Sequence, residues 1–183
     1  MNKLIAIALI MLIFPVLIFV ALFVILSDGY PFLFTQKKYG LNNKVFNLYK
    51  FRTMKENTPL KATEDFDNAN NFIIKGGYFL RKFSLDELPQ LFNVINGDMN
   101  FIGPRPSLID NEEIIYKLRN EQGLHKIKPG ITGWAQVNGR DLNTFEKKVS
   151  LDYYYMRNKS LLLDIKIIFM TFKVIFLTKL VKH

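Results

Sequence analysis

Leu4 to Leu26 is an uncharged apolar run of 23 residues. A straight helix over it would extend about 35 Å at about 1.5 Å per residue, against about 30 Å for a bilayer core. A secretory signal fits poorly: the apolar part is long, and Leu26-Ser27-Asp28-Gly29 has no small-x-small cleavage pattern. Pro15 lies near the middle of the run. It removes one backbone hydrogen bond and favours a kink, leaving halves of roughly 16 Å each. Hydropathy favours a plain span; a re-entrant helix that enters one leaflet and returns is the alternative. Lys3 precedes the run, and Lys37, Lys38, Lys44, Lys50 and Arg52 follow it. The positive-inside rule therefore puts the main body in the cytoplasm and is compatible with both ends lying there.

The remaining length suits one domain. An excess of basic side chains, 25 against 16 acidic, gives a net charge of +9. That charge points to a polyanionic partner: nucleic acid, anionic lipid headgroups or a phosphorylated substrate. The absence of cysteine excludes disulfides and thiolate chemistry. Neither a Gly-Lys-Ser/Thr phosphate loop nor Gly-x-Gly-x-x-Gly occurs, and there is no zinc-type His or Cys cluster. Seventeen phenylalanines suggest contact with something apolar beyond the protein's own core.

Phe32 to Met54 reads as a β-hairpin. Phe32–Thr35 and Val45–Phe51 are strand-like, and Tyr39-Gly40-Leu41-Asn42-Asn43 is turn chemistry. Lys50 and Arg52 fall on one strand face; a solvated edge or contact with lipid phosphates would account for them. Glu56 to Asn71 is polar and reads as a surface loop with a short helix.

The stretch from Arg81 to Pro106 carries the densest chemistry. Leu85, Leu88, Leu91, Phe92 and Ile95 recur at helical spacing, and Asn96-Gly97 supplies a stop. Ser84-Leu85-Asp86-Glu87 has the form of a capping box, Ser84 capping and Glu87 reaching back. Acidic residues in a first turn also suit the helix dipole. Pro89 predicts a distorted first turn. Basic residues flank the carboxylate pair: Arg81 and Lys82 before it, and Arg105 after it in the rigid turn Gly103-Pro104-Arg105-Pro106. A carboxylate pair, a helix start and converging arginines are what a site for phosphates and a divalent cation requires.

Asp110 to Asn120 reads as a helix, with Glu112, Glu113, Lys117 and Arg119 as a solvated face. Lys128 to Arg140 holds three glycines, a proline and the only tryptophan, and reads as a structured loop of the kind that binds something. The cluster Tyr153-Tyr154-Tyr155 suits a membrane interface or ordinary packing. Ile165, Ile168, Phe169, Phe172, Ile175, Phe176 and Leu180 form a wide apolar helical stripe, with Lys166 and Lys173 on another side. A helix at the membrane surface and a core helix both fit that pattern.

Five blocks in order, Lys50–Met54, Leu80–Leu91, Gly97–Met99, Gly103–Pro106 and Lys128–Arg140, together resemble the bacterial sugar transferases, the small monotopic phosphoglycosyl transferases. The resemblance covers nearly the whole chain, which is about as long as that family's minimal catalytic unit. It implies transfer of a phosphosugar from a UDP-sugar to undecaprenyl (polyprenyl) phosphate, giving a polyprenyl diphosphosugar and UMP, in the initiation of surface glycan or glycoprotein synthesis. It implies a covalent aspartyl-phosphosugar intermediate and Mg²⁺. Carried over by position, Asp86 is the nucleophile and a Mg²⁺ contact, Glu87 its dyad partner and second metal contact, and Arg81, Arg105 and Arg140 the phosphate-binding residues.

The resemblance also implies an α+β, mostly helical fold: a membrane-inserted re-entrant helix over 1–28, broken at Pro15, then a compact cytoplasmic catalytic domain over 29–183 with a small β-hairpin and amphipathic interfacial helices. Phe14-Pro15 stands where the family has Ser-Pro. The expected setting is the bacterial inner membrane, with the catalytic domain on the cytoplasmic face. Membrane lipids are expected contacts and nucleic acid is not. The competing reading, a non-enzymatic membrane-anchored basic module binding nucleic acid or anionic lipid, explains the +9 charge but gives no reason for Asp86 and Glu87 to sit among arginines.

Overall fold

The computed structural model describes residues 2–56, 58, 69–107, 113–139 and 144–177. The predicted loop over Glu56–Asn71 and the site residue Arg140 lie largely or wholly outside them. The fold is mostly helical with two small two-stranded sheets.

Helix α1 is Asn2–Asp28, one continuous helix with Pro15 inside it. It is long and apolar enough to cross a membrane, and most of its surface is exposed. Strands β1 (Leu33–Tyr39) and β2 (Val45–Phe51) form the predicted antiparallel hairpin, Leu33 opposite Phe51 and Tyr39 opposite Val45. The turn between them places Asn42 and Asn43 at positive φ, a conformation asparagine tolerates better than most residues. The helices α2 (Gly77–Lys82) and α3 (Gln90–Asn96) follow, then β3 (Asn100–Ile102) and α4 (Glu113–Glu121). Next come β4 (Gly130–Thr132), α5 (Trp134–Val137), α6 (Phe145–Asn158) and α7 (Leu161–Leu177). The parallel pairing of β3 with β4, Asn100 opposite Gly130, was not legible from such short runs.

α1 packs along the body at both of its halves. Ala6 joins Phe46, Leu48, Val94 and Met99, whereas Leu17, Val20 and Val24 join Phe51, Ile74 and Leu80. Both ends are also tied by polar contacts. The Asn2 side chain donates to Asn100 Oδ1 at 3.1 Å. At the other end Arg52 Nη2 donates to the carbonyls of Asp28 (2.7 Å) and Gly29 (2.8 Å) and lies 3.3 Å from the Asp28 carboxylate. A cation there answers the unpaired carbonyls and negative end of the helix, an effect of roughly 0.3–1 kcal/mol that rises when partly buried. Arg52 is therefore buried, not part of a solvated edge.

The C-terminal helices form a second packing unit. Ile167 of α7 is fully buried with Val137 and Tyr155, and the Tyr155 hydroxyl donates to Asp164 at 2.8 Å. Thr171 Oγ1 of α7 lies 2.8 Å from Thr132 Oγ1 of β4. The other side of α7 is apolar and open: Leu161, Leu162, Phe169, Phe172 and Phe176 are all mostly exposed. α7 is thus a core helix on one side and an uncovered apolar surface on the other.

Candidate active site

Asp86 and Glu87 lie in a short 3-10 turn, Leu85–Glu87, between α2 and α3. The predicted helix from Ser84 to Asn96 divides at Pro89, which has no N–H to donate and instead precedes the first residue of α3. The capping box does not form. Ser84 adopts a left-handed backbone at φ 54° and its side chain makes no capping bond; its carbonyl accepts from Glu87 N at 3.1 Å. Asn96-Gly97 does end the helix, Gly97 taking φ 88°.

The 3-10 turn is held against the hairpin. Asn93, fully buried, donates from Nδ2 to the Asn47 carbonyl at 2.7 Å and accepts from Tyr49 N at 3.1 Å, answering backbone groups that β2 leaves unpaired on that side. β2 then presents Lys50, whose Nζ donates to Glu87 Oε1 at 2.9 Å. Arg105 Nη1 lies 3.7 Å from the same oxygen. Both carboxylate residues are buried, Asp86 7% and Glu87 9% exposed, whereas the Arg105 side chain is 45% exposed. A half-open cation thus lies beside the shielded Glu87 carboxylate, next in sequence to the buried Asp86. Lys50, read as a solvated or lipid-facing cation, belongs to the site; its partner is 37 residues away in sequence, which strand alternation cannot reveal. Arg81, at the end of α2, has Nη2 3.6 Å from Met54 Sδ.

Glycines join the two loop motifs. A Cβ on Gly130 would lie 2.1 Å from Gly103 N, one on Gly133 2.1 Å from Gly103 O, and one on Gly103 2.5 Å from Lys128 O. Only glycine permits that approach. The Arg105 turn is thereby fixed to the Lys128–Gly139 segment, and Gly130 N donates to Pro104 O at 2.9 Å. Within that segment Trp134 stacks on Tyr154, ring centroids 5.7 Å apart, and Lys166 Nζ lies 5.3 Å from the Trp134 centroid. Phe83, three residues before Asp86, lies 6.4 Å from Phe176 of α7 by ring centroids.

Arg119 is also not the solvated cation its helix pattern suggests. Its neighbour Lys117 is exposed, but Arg119 Nη2 donates to Asp152 Oδ2 at 2.6 Å in a buried pair. Burial pushes the Asp152 carboxyl above the ordinary carboxylate value, with the Arg119 charge opposing.

The two adjacent carboxylates offer oxygen donors only, which suits a hard cation such as Mg²⁺. Among the described residues no group of three or more acidic, His or Cys side chains could hold a metal. Mg²⁺ commonly takes just one or two carboxylates and completes its shell with substrate phosphates and water, so the donor set fits a cation that arrives with a phosphorylated substrate.

A family model described as bacterial sugar transferase matches residues 1–178. The uncharacterized sugar transferase EpsL of Bacillus subtilis is 43% identical over 85% of this chain and 75% of its own length. A UDP-glucose:undecaprenyl-phosphate glucose-1-phosphate transferase of Escherichia coli is 42% identical over 88% of this chain. A UDP-N-acetylgalactosamine-undecaprenyl-phosphate N-acetylgalactosaminephosphotransferase of Aeromonas hydrophila is 36% identical over 96% of it. The matched part covers 36% and 42% of those last two relatives' own lengths.

Proposed function

The chain belongs to the bacterial sugar transferase family, and we propose that it moves a phosphosugar from a UDP-sugar to a polyprenyl phosphate such as undecaprenyl phosphate. The observation that carries this reading is the convergence of Lys50 and the half-open Arg105 on the shielded Glu87, with buried Asp86 beside it in the same turn. Relatives from two organisms bear names describing this reaction with different sugars.

In the proposed sequence, a carboxylate oxygen of Asp86 attacks the sugar-bearing phosphorus of the donor. The bond from that phosphorus to the bridging oxygen breaks and UMP leaves with the electron pair. A phosphate oxygen of the polyprenyl acceptor then attacks the same phosphorus, and Asp86 departs as the carboxylate. Neither step consumes or releases a proton overall. A covalent intermediate lets a soluble donor and a lipid acceptor use one site in turn.

Charge counting defines the residues' roles. Asp86 and Glu87 bring two negative charges, and Lys50 and Arg105 two positive ones. The donor diphosphate adds further negative charge that more cations must meet, since phosphoryl transfer depends on positioning and charge neutralisation. Arg81, Arg105 and Arg140 are the proposed phosphate-holding residues. Asp86 and Glu87 are the proposed Mg²⁺ contacts; the cation, when bound, supplies Lewis-acid neutralisation of the phosphate oxygens. Glu87 is oriented by Lys50 and is the proposed dyad partner of Asp86.

The proposed setting is the cytoplasmic face of the bacterial inner membrane, with residues 1–28 as the inserted segment and 29–183 as the catalytic part. A straight helix of 27 residues is about 40 Å long. Both ends of α1 contact the same body, through Asn2 and Asp28, whereas a span across about 30 Å of bilayer would carry one end away from it. This supports insertion with both ends on one side, and Pro15, which withholds a bond from the Met11 carbonyl, is the point at which the helix yields most easily. The exposed apolar sides of α1 and α7 are the surfaces that would meet lipid.

A panel of UDP-sugars with Mg²⁺ and undecaprenyl phosphate tests the reading: at least one donor should release UMP. Asp86→Asn should lower that release to background with the fold intact. Full activity in the variant would remove Asp86 from the nucleophile's role.

A further inference from the structure

We propose that Arg119 is a positioning residue: paired with buried Asp152, it clamps the Pro104–Ser107 turn and thereby aims the Arg105 guanidinium at the donor diphosphate. The proposal rests on the phosphate-binding role of Arg105 given above.

One guanidinium makes all the contacts. Arg119 Nη1 donates to the carbonyl of Arg105 and to Ser107 Oγ at 2.5 Å. Its Nη2 donates to Asp152 Oδ2 at 2.6 Å. Backbone bonds already hold the turn on either side, Gly130 N to Pro104 O at 2.9 Å and Tyr39 N to Ser107 O at 3.2 Å. The Arg105 carbonyl between them is the point that Arg119 secures, and the Arg105 side chain leaves from that same residue toward Glu87 at 3.7 Å. The planar fork of arginine can serve these acceptors together, as the single ammonium of lysine cannot.

The energetics favour a positional role over a stabilising one. Asp152 is 1% exposed, and taking such a pair out of water costs about what its attraction returns unless every remaining polar atom is satisfied. Here Arg119 Nε and Asp152 Oδ1 are both buried with no hydrogen bond among the described residues. A pair so incompletely satisfied adds little stability, but it does fix three elements relative to one another: α4, α6 and the Arg105 turn.

Steady-state kinetics with the accepted UDP-sugar test the clamp. Arg119→Lys is expected to raise KM for the donor about tenfold with kcat changed much less, because Arg105 holds the donor in ground and transition states alike. In an Arg105→Ala background the same substitution should cost no more than about twofold further, since its effect runs through Arg105. Multiplying losses in the double variant, or an unchanged KM in the single one, would overturn the proposal. Hydrogen exchange supplies an arm independent of turnover: the Tyr39 and Gly130 amides, which donate to the Ser107 and Pro104 carbonyls of the turn, should exchange about tenfold faster in Arg119→Lys, and unchanged rates would overturn the clamp. If the wild-type chain turned over no UDP-sugar, the transferase reading would fail, and exchange would still decide whether Arg119 holds the turn. Should Arg119→Lys not fold, Ser107→Ala removes one acceptor and leaves the pair with Asp152; a smaller rise in KM and faster exchange of the Tyr39 amide are expected there, and the absence of both changes would overturn the proposal.

Discussion

Lys50 shows how far a single side chain's role depends on tertiary context. Its Nζ is 2.9 Å from Glu87 Oε1, and the pair is mostly shielded, the Lys50 side chain 20% and Glu87 11% exposed. Replacing it with methionine removes that charge and leaves Arg105, at 3.7 Å, beside Glu87. Lys50→Met should lower the rate of UMP release roughly a hundredfold, the scale set by misplacing a catalytic group by about an ångström. Lys50→Arg should recover part of that loss, and equal activity in wild type and Lys50→Met would remove Lys50 from the site. The approach of Arg105 to Glu87 was foreseeable because a carboxylate pair and a rigid arginine turn are each local patterns in sequence. Lys50, Asn93 and the Arg119–Asp152 pair were not, since each acquires its meaning from a partner 33 to 46 residues away. Ser84 failed differently: the box pattern was present, but Pro89 moved the helix start beyond it.

At the scale of elements, the hairpin followed from strand-like runs and turn chemistry and α1 from an unbroken apolar run, whereas the β3–β4 pair rests on glycines at close approach. Gly130→Ala would place a methyl group 2.1 Å from Gly103 N, against backbone that cannot rotate away. It should destabilise the fold by about 1–3 kcal/mol or more and weaken donor binding by displacing the Arg105 turn; an unchanged Tm with unchanged KM would show that the two loops do not pack so closely. The joint between α6 and α7 carries a pH dependence. Burial, then the hydrogen bond to Asp164, pushes the Tyr155 hydroxyl well above its ordinary value. An acid with a raised folded value contributes stability that is fully present below its unfolded value, about 10, and is lost as pH rises from there toward the folded one. Wild type should therefore lose stability above about pH 10 more steeply than Tyr155→Phe in denaturant titrations, and parallel curves would contradict the assignment.

For the whole molecule, one chain joins a net positive charge, a buried carboxylate dyad and two open apolar helix surfaces, and the proposed place of work is a membrane face. Its topology can be probed cleanly because the chain contains no cysteine. A single cysteine placed at Lys3 should escape a membrane-impermeant thiol reagent in intact cells and react once they are opened; labelling in intact cells would favour a span. Hydropathy favours that span, whereas the contacts at Asn2 and Asp28 favour the re-entrant alternative. The central claim is that Asp86 itself carries the phosphosugar between donor and acceptor. Mass spectrometry of protein incubated with its UDP-sugar and Mg²⁺, without polyprenyl phosphate, tests it most directly. The account predicts one phosphosugar adduct on the peptide containing Asp86, formed with an equivalent of UMP and discharged by adding the acceptor. An active enzyme that shows no adduct, and releases UMP only when the acceptor is present, would contradict it.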